Sequence, residues 1–161
     1  MSVLQGRLGG FTAGLDLNGD WDGQQLRGRV GTFTDGQNVV VGLGQGALEG
    51  RVGSFTDGFD VRAEVVGGQL QLHLGGYTDG LDAVLTFTPE GATGRYGGYT
   101  DGVDIALNRD AEEVRGRFGS FTQGVDIRLD LGDVPLPLAA IMAVSAYRVW
   151  AAREQTAGPS R

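Results

Sequence analysis

Gly50-Arg51-Val52-Gly53-Ser54-Phe55-Thr56-Asp57-Gly58-Phe59-Asp60-Val61 contains the unit from which nearly the whole chain is built. Its aromatic residue recurs at Phe11, Phe33, Phe55, Tyr77, Tyr99 and Phe121, each 22 positions after the last. Each is followed by Thr and, two residues further on, by Gly14, Gly36, Gly58, Gly80, Gly102 or Gly124. Upstream stands Gly-Arg-x-Gly, as in Gly50-Arg51-Val52-Gly53, and downstream Asp followed by an apolar residue, as in Asp60-Val61. Six copies without a change of period imply six equivalent structural units.

Each unit reads as a β-hairpin. Asp57-Gly58 and its counterparts at 35, 79 and 101 carry the residues that a two-residue type I′ turn requires, because both central positions need positive φ. After the turn the pattern alternates: Val125, Ile127, Leu129 and Leu131 point one way, and Asp126, Arg128 and Asp130 the other. The return turns are Asp22-Gly23, Gly44-Gln45-Gly46, Gly67-Gly68, Pro89-Glu90-Gly91 and Arg109-Asp110-Ala111. With Asp57-Gly58 as the loop, Arg51 is expected opposite Glu64, and by the same register Arg7 opposite Asp20 and Arg117 opposite Asp130. One face, with Leu48, Gly50, Val52, Val61 and Ala63, is then apolar or small, and the Arg-bearing face is wet.

Beyond Gly132 the period ends. Pro135 and Pro137 break the strand pattern, and Leu138 to Tyr147 is apolar on every side of a helix, which requires burial all round or a membrane. Seventeen residues from Leu136 to Ala152, with Arg148 among them, are short of the roughly 20 a spanning helix needs. Twelve strands at ~4.8 Å spacing and ~40° tilt enclose a cylinder roughly 24 Å across, wide enough for one helix. The chain therefore reads as all-β with one C-terminal helix: a twelve-stranded antiparallel up-and-down barrel of six 22-residue hairpin repeats enclosing an apolar helix. Residues 1–153 form a single domain, with strands within 2–132 and a central helix over 136–153, and 154–161 a disordered tail. Leu138, Ile141, Met142, Val144 and Tyr147 are expected to fill the lumen. Inward glycines at 6, 28, 50, 94 and 116, replaced by Leu72 in repeat four, are expected to make room for the helix. A single open sheet is the alternative and would leave a long apolar face bare.

Composition narrows the chemistry. The net charge is −7, and all thirteen basic residues other than the one histidine are arginine, so there is no general attraction for nucleic acid. No cysteine is present, which excludes disulfides and thiolate metal sites, and one histidine cannot build a multi-histidine centre. The N-terminal residues lack the charged and apolar regions of a secretory signal, so a cytoplasmic location is expected. No cofactor is implied.

The repeat aligns one polar row: Arg7, Arg29, Arg51, His73, Arg95 and Arg117. It can be read as a girdle for an anion or other ligand. Cross-strand pairing with Asp or Glu explains the same residues structurally and is the favoured reading. The Asp-Gly-x-Asp groups, such as Asp57 with Asp60 and Asp79 with Asp82, invite a calcium reading, but a short hairpin loop offers few of the six to eight oxygens calcium takes.

The unit Gly50 to Val61 and the barrel-plus-helix plan resemble the tubby-like barrel superfamily, which includes phospholipid scramblases and LURP-one-related proteins. That resemblance covers nearly the whole chain and implies twelve antiparallel strands around a C-terminal apolar helix. Its functional implication is a non-catalytic structural or interaction barrel, not an enzyme, monomeric and with an unidentified ligand. A lipid- or membrane-associated protein, scramblase-like or phosphoinositide-binding, is the alternative, and a calcium-binding repeat protein the second. An outer-membrane barrel is opposed by the helical C-terminus.

Overall fold

The structure is a computed structural model that describes residues 2–10, 14–32, 36–44, 47–53, 58–75, 80–97, 102–119 and 124–157. Twelve strands and one helix follow in chain order: β1 (Ser2–Leu8), β2 (Leu15–Trp21), β3 (Gln25–Gly31), β4 (Gly36–Leu43), β5 (Leu48–Gly53), β6 (Gly58–Val66), β7 (Gln69–Leu74), β8 (Leu81–Thr88), β9 (Gly91–Tyr96), β10 (Val103–Asp110), β11 (Glu113–Gly119), β12 (Gly124–Asp130) and α1 (Leu136–Ala157). Every strand pairs antiparallel with its chain neighbours, and β1 pairs with β12, so the sheet is a closed barrel and not an open sheet. The seam keeps the register of the repeat junctions but has four paired positions where the others have five or six. Gly9 N–H donates to the Asp126 carbonyl as Gly75 does to Asp60 and Gly97 to Asp82, all at 2.8 Å.

The expected faces are observed, but the expected register is not. Arg51 lies opposite Asp60 rather than Glu64, Arg7 opposite Asp16 rather than Asp20, and Arg117 opposite Asp126 rather than Asp130. The ladder of β5 and β6 ends at Gly53 and Gly58, so four residues separate the strands where a two-residue Asp-Gly turn was expected. Asp35, Asp57, Asp79 and Asp101, and the six aromatic-Thr pairs, lie outside the described residues. A shift of four keeps each side chain on its face, which is why burial follows expectation while the cross-strand partners do not. The cause is the second Gly of Gly-Arg-x-Gly. Gly9, Gly53, Gly75, Gly97 and Gly119 have φ of 96°, 94°, 110°, 88° and 105°, which takes the backbone off the ladder ahead of the Asp-Gly pair. Paired positive φ values occur instead in a return turn, at Gly67 (60°) and Gly68 (79°), as a type I′ turn requires.

The helix fills the barrel. The ten consecutive residues Leu138 to Tyr147 are all buried, and only enclosure on every side buries nearly three turns without interruption. Leu138, Ile141, Met142, Val144 and Tyr147 belong to one core with Leu4, Leu26, Val52, Leu70, Leu107 and Leu129 of the wall. Pro135 opens the helix by accepting from the N–H groups of Leu138 and Ala139, at 3.0 and 3.1 Å. The helix continues to Ala157, so 154–157 are not the start of a disordered tail; Ala151-Ala152-Arg153-Glu154-Gln155 is a run of strong helix formers. Since β12 runs toward the return turns, the helix enters at that end and leaves at the end where Gly9, Gly53 and their equivalents quit the wall. Ser145 Oγ, in mid-helix, is buried with no hydrogen-bond partner among the described residues.

The inward glycines serve the wall more than the helix. A Cβ on Gly28, Gly50 or Gly94 would stand 1.9 Å from the Asn18, Val40 or Val84 carbonyl oxygen of the preceding strand, and on Gly6 2.1 Å from that of Arg128. These positions permit a close strand-to-strand approach that no side chain allows. Gly19 is different: a Cβ there would meet side chains, Leu26 Cδ1 of the wall at 3.0 Å and Met142 Cε of the helix at 3.2 Å.

Candidate functional site

The polar row rings the outside of the barrel, two residues before each strand-ending glycine. In four repeats a guanidinium Nη1 meets an Asp Oδ1 nine residues on: Arg7–Asp16 and Arg95–Asp104 at 2.6 Å, Arg51–Asp60 and Arg117–Asp126 at 2.7 Å. In repeat four His73 takes the slot and holds Asp82 at 2.6 Å through Nδ1. The arginines also reach the backbone where the strands part: Arg7 Nε donates to the Gly10 carbonyl at 3.1 Å and Arg95 Nη2 to that of Gly102 at 3.3 Å. The row thus braces the strand ends, each exposed pair being worth a few tenths of a kcal/mol. Each of these five side chains therefore has its aspartate directly across the hairpin. Asp60 and Asp82, read as calcium ligands, are engaged the same way, and the described residues contain no cluster of three or more potential ligands.

Repeat two departs from the others. Arg29 lies opposite Asn38 on β4 and Asn18 on β2, and no acid faces it directly. Its Nη2 donates to the Thr32 carbonyl at 3.3 Å.

Repeat four departs differently. Leu72 stands where five repeats have Gly, and its neighbours across the sheet are Ala63 and Ala83. The equivalent neighbours of Gly94 are Leu85 and Ile105. Bulk has moved from the flanking strands to the middle one, with all three residues buried. On the outside, a shallow depression of about 310 Å³ overlies this point, bordered by Arg62, Gln71, His73, Asp82 and Val84. The shorter His73 replaces a guanidinium there.

Where the helix emerges, its aromatic residues meet those of the rim. Tyr147 stacks on Phe118 with centroids 4.6 Å apart and planes 6° from parallel, and meets Tyr96 edge-on at 5.0 Å. Trp150 lies 5.8 Å beyond, and Arg148 Cζ sits 4.7 Å above the Phe59 ring. Burial pushes the Tyr96 phenol up, with Arg148 pulling against it, and burial likewise raises Tyr147. Both are therefore neutral hydrogen-bonding groups with no reactive anion at neutral pH. The sequence singled out Tyr147 as a lumen residue; its partners became identifiable only with the helix direction.

Away from the row, Glu113 bridges Arg128 Nε at 2.7 Å and Arg115 Nε at 3.0 Å. Burial acts to raise its carboxyl, but the two guanidinium bonds outweigh it and hold the group below its ordinary 4.5. A lowered folded-state value means stability that is present above about pH 4.5 and lost as pH falls through the folded value. In a carboxyl ¹³C titration Glu113 is expected to ionise below the ordinary glutamate value of 4.5, and Arg128→Gln to raise its midpoint. An unchanged midpoint in that variant would remove the bridge as the cause.

No family model matches the chain, and neither a curated protein nor a solved structure does.

Proposed function

We propose that the chain is a non-catalytic interaction barrel of the tubby-like, LURP-one-related type, acting as a monomer in the cytoplasm. The observation that carries this reading is the filled lumen. Ten successive helix residues occupy the space that a ligand-carrying barrel keeps open, so a partner or ligand is met on the outer wall or at the ends. The closed ring leaves no unpaired edge strand to recruit another chain. The outer wall carries ion pairs, where a barrel embedded in hydrocarbon carries an apolar band. Among the described residues no helix is long and apolar enough to cross a membrane.

Vesicle pelleting tests the reading. The full chain is expected to stay in the supernatant with phosphatidylcholine vesicles and equally with vesicles containing phosphatidylserine and a phosphoinositide. Salt-sensitive pelleting with the anionic vesicles alone would overturn it in favour of the lipid-associated alternative.

A further inference from the structure

The six repeats provide an internal comparison. At five of the six slots the cation, or the imidazole of His73, has an aspartate directly across the hairpin at 2.6–2.7 Å. At the remaining slot the aspartate is replaced by Asn38, of nearly the same shape and no charge, and the residue on the other flank is also an amide, Asn18. From this difference we infer that Arg29, with Asn18 and Asn38 beside it, binds an external oxyanion, a carboxylate or a phosphate.

The surroundings favour an anion. The Arg29 guanidinium lies against the start of β4, where Gly36 leaves room for it: a Cβ on that glycine would stand 2.6 Å from Arg29 Cζ. Its one hydrogen bond among the described residues goes to the Thr32 carbonyl, a neutral acceptor. Arg27 precedes it by two residues on the same strand and face. The acids nearest in register, Asp16 and Asp20, lie diagonally on β2; Arg7 holds Asp16, and Asp20 faces Arg27. Diagonal neighbours across a sheet are roughly 7–8 Å apart, about one Debye length at 0.15 M salt, so these acids attenuate the Arg29 charge without being in direct register with it. The two amides add N–H donors to a planar fork that matches oxyanions. With one guanidinium on an open face, and a chain of net charge −7, the affinity is modest, a Kd on the order of 1 mM.

The test is an NMR titration of the full chain that follows arginine Nε and asparagine side-chain amide signals. Phosphate and acetate are added separately, against chloride at equal ionic strength. Saturable shifts are expected at Arg29 and Asn38, with little change at Arg7, Arg95 and Arg117. Asn38→Asp is expected to abolish them by supplying the missing anion. Conversely, Asp60→Asn, in a protein that keeps its folded spectrum, is expected to create a second, weaker responsive site at Arg51. A response to both anions identifies the ligand class as a carboxylate or phosphate, and a response to phosphate alone narrows it to phosphate. No saturable shift at Arg29, equal shifts along the whole row, or an undiminished response in Asn38→Asp would each overturn the site. The vesicle result does not bear on these outcomes.

Discussion

A chain ending at Gly132 is expected to lose the folded monomer altogether. The wall turns Leu4, Leu26, Val52, Leu70, Leu107 and Leu129 inward, each no more than 2% exposed, and much of what covers them is the helix. Removing the helix leaves a hole far larger than those made by single Leu→Ala changes, which cost 2.7–5.0 kcal/mol and rise with residual cavity volume. Two or three such losses already match the roughly 5–15 kcal/mol by which a domain is stable. The wall cannot collapse onto itself, because its circumference is set by twelve paired strands. Size-exclusion chromatography is expected to show aggregates, or a species that binds an apolar dye strongly. A peptide covering 133–157, added during refolding, is expected to restore part of the native monomer. A truncated protein that runs as a monomer with the melting temperature of the full chain would mean that the helix contributes nothing to the barrel.

The strand count and the central helix were legible because they rest on coarse signals. A strict period of 22 sets the number of hairpins, strand alternation sets the faces, and an uninterrupted apolar run in a helix demands burial on all sides. Register was misread because two glycines compete within each repeat. Asp57-Gly58 has the composition of a two-residue turn, yet the ladder ends at Gly53, whose φ is 94°, three residues before the Thr56 that such a turn would pair, and the register shifts by four. Gly-Arg-x-Gly recurs as faithfully as Asp-Gly, so the signal was present, but composition alone does not say which glycine adopts the left-handed region. The same misreading displaced every ion-pair partner in the row. The distinctness of Arg29 followed from the register: with Asp60 rather than Glu64 as the general partner, Asn38 is the equivalent position in repeat two. The outward depression on repeat four could not be read from the sequence, since it depends on how three strands curve together.

Gly94→Leu should produce the second large effect, through a different cause. The glycine lies in the strand interior with a neighbouring carbonyl where a side chain would begin: a Cβ there would be 1.9 Å from Val84 O and 2.7 Å from Leu85 Cα. These are backbone atoms, so no rotamer change relieves the contact and the strands must move apart. Overpacking of this kind typically costs about 1–3 kcal/mol, with larger values when the backbone must shift. In a chain of this size each kcal/mol lowers the melting temperature by about 2–4 °C. Repeat four indicates how the same change can be accommodated, since Leu72 is tolerated where both flanking residues are alanine. Leu85→Ala and Ile105→Ala should each destabilise the native wall, yet in the Gly94→Leu background they should recover part of the loss. The triple variant should therefore be more stable than the sum of the separate effects, because the three sites share one space. Gly10→Ala, whose added carbon meets nothing within 4 Å, serves as the control and should shift stability by less than about 0.5 kcal/mol. A Gly94→Leu melting temperature equal to that of the control would show that close strand approach is not what holds glycine at five of the six equivalent positions, and additive losses in the triple variant would show that flanking side-chain bulk does not set what position 94 accepts.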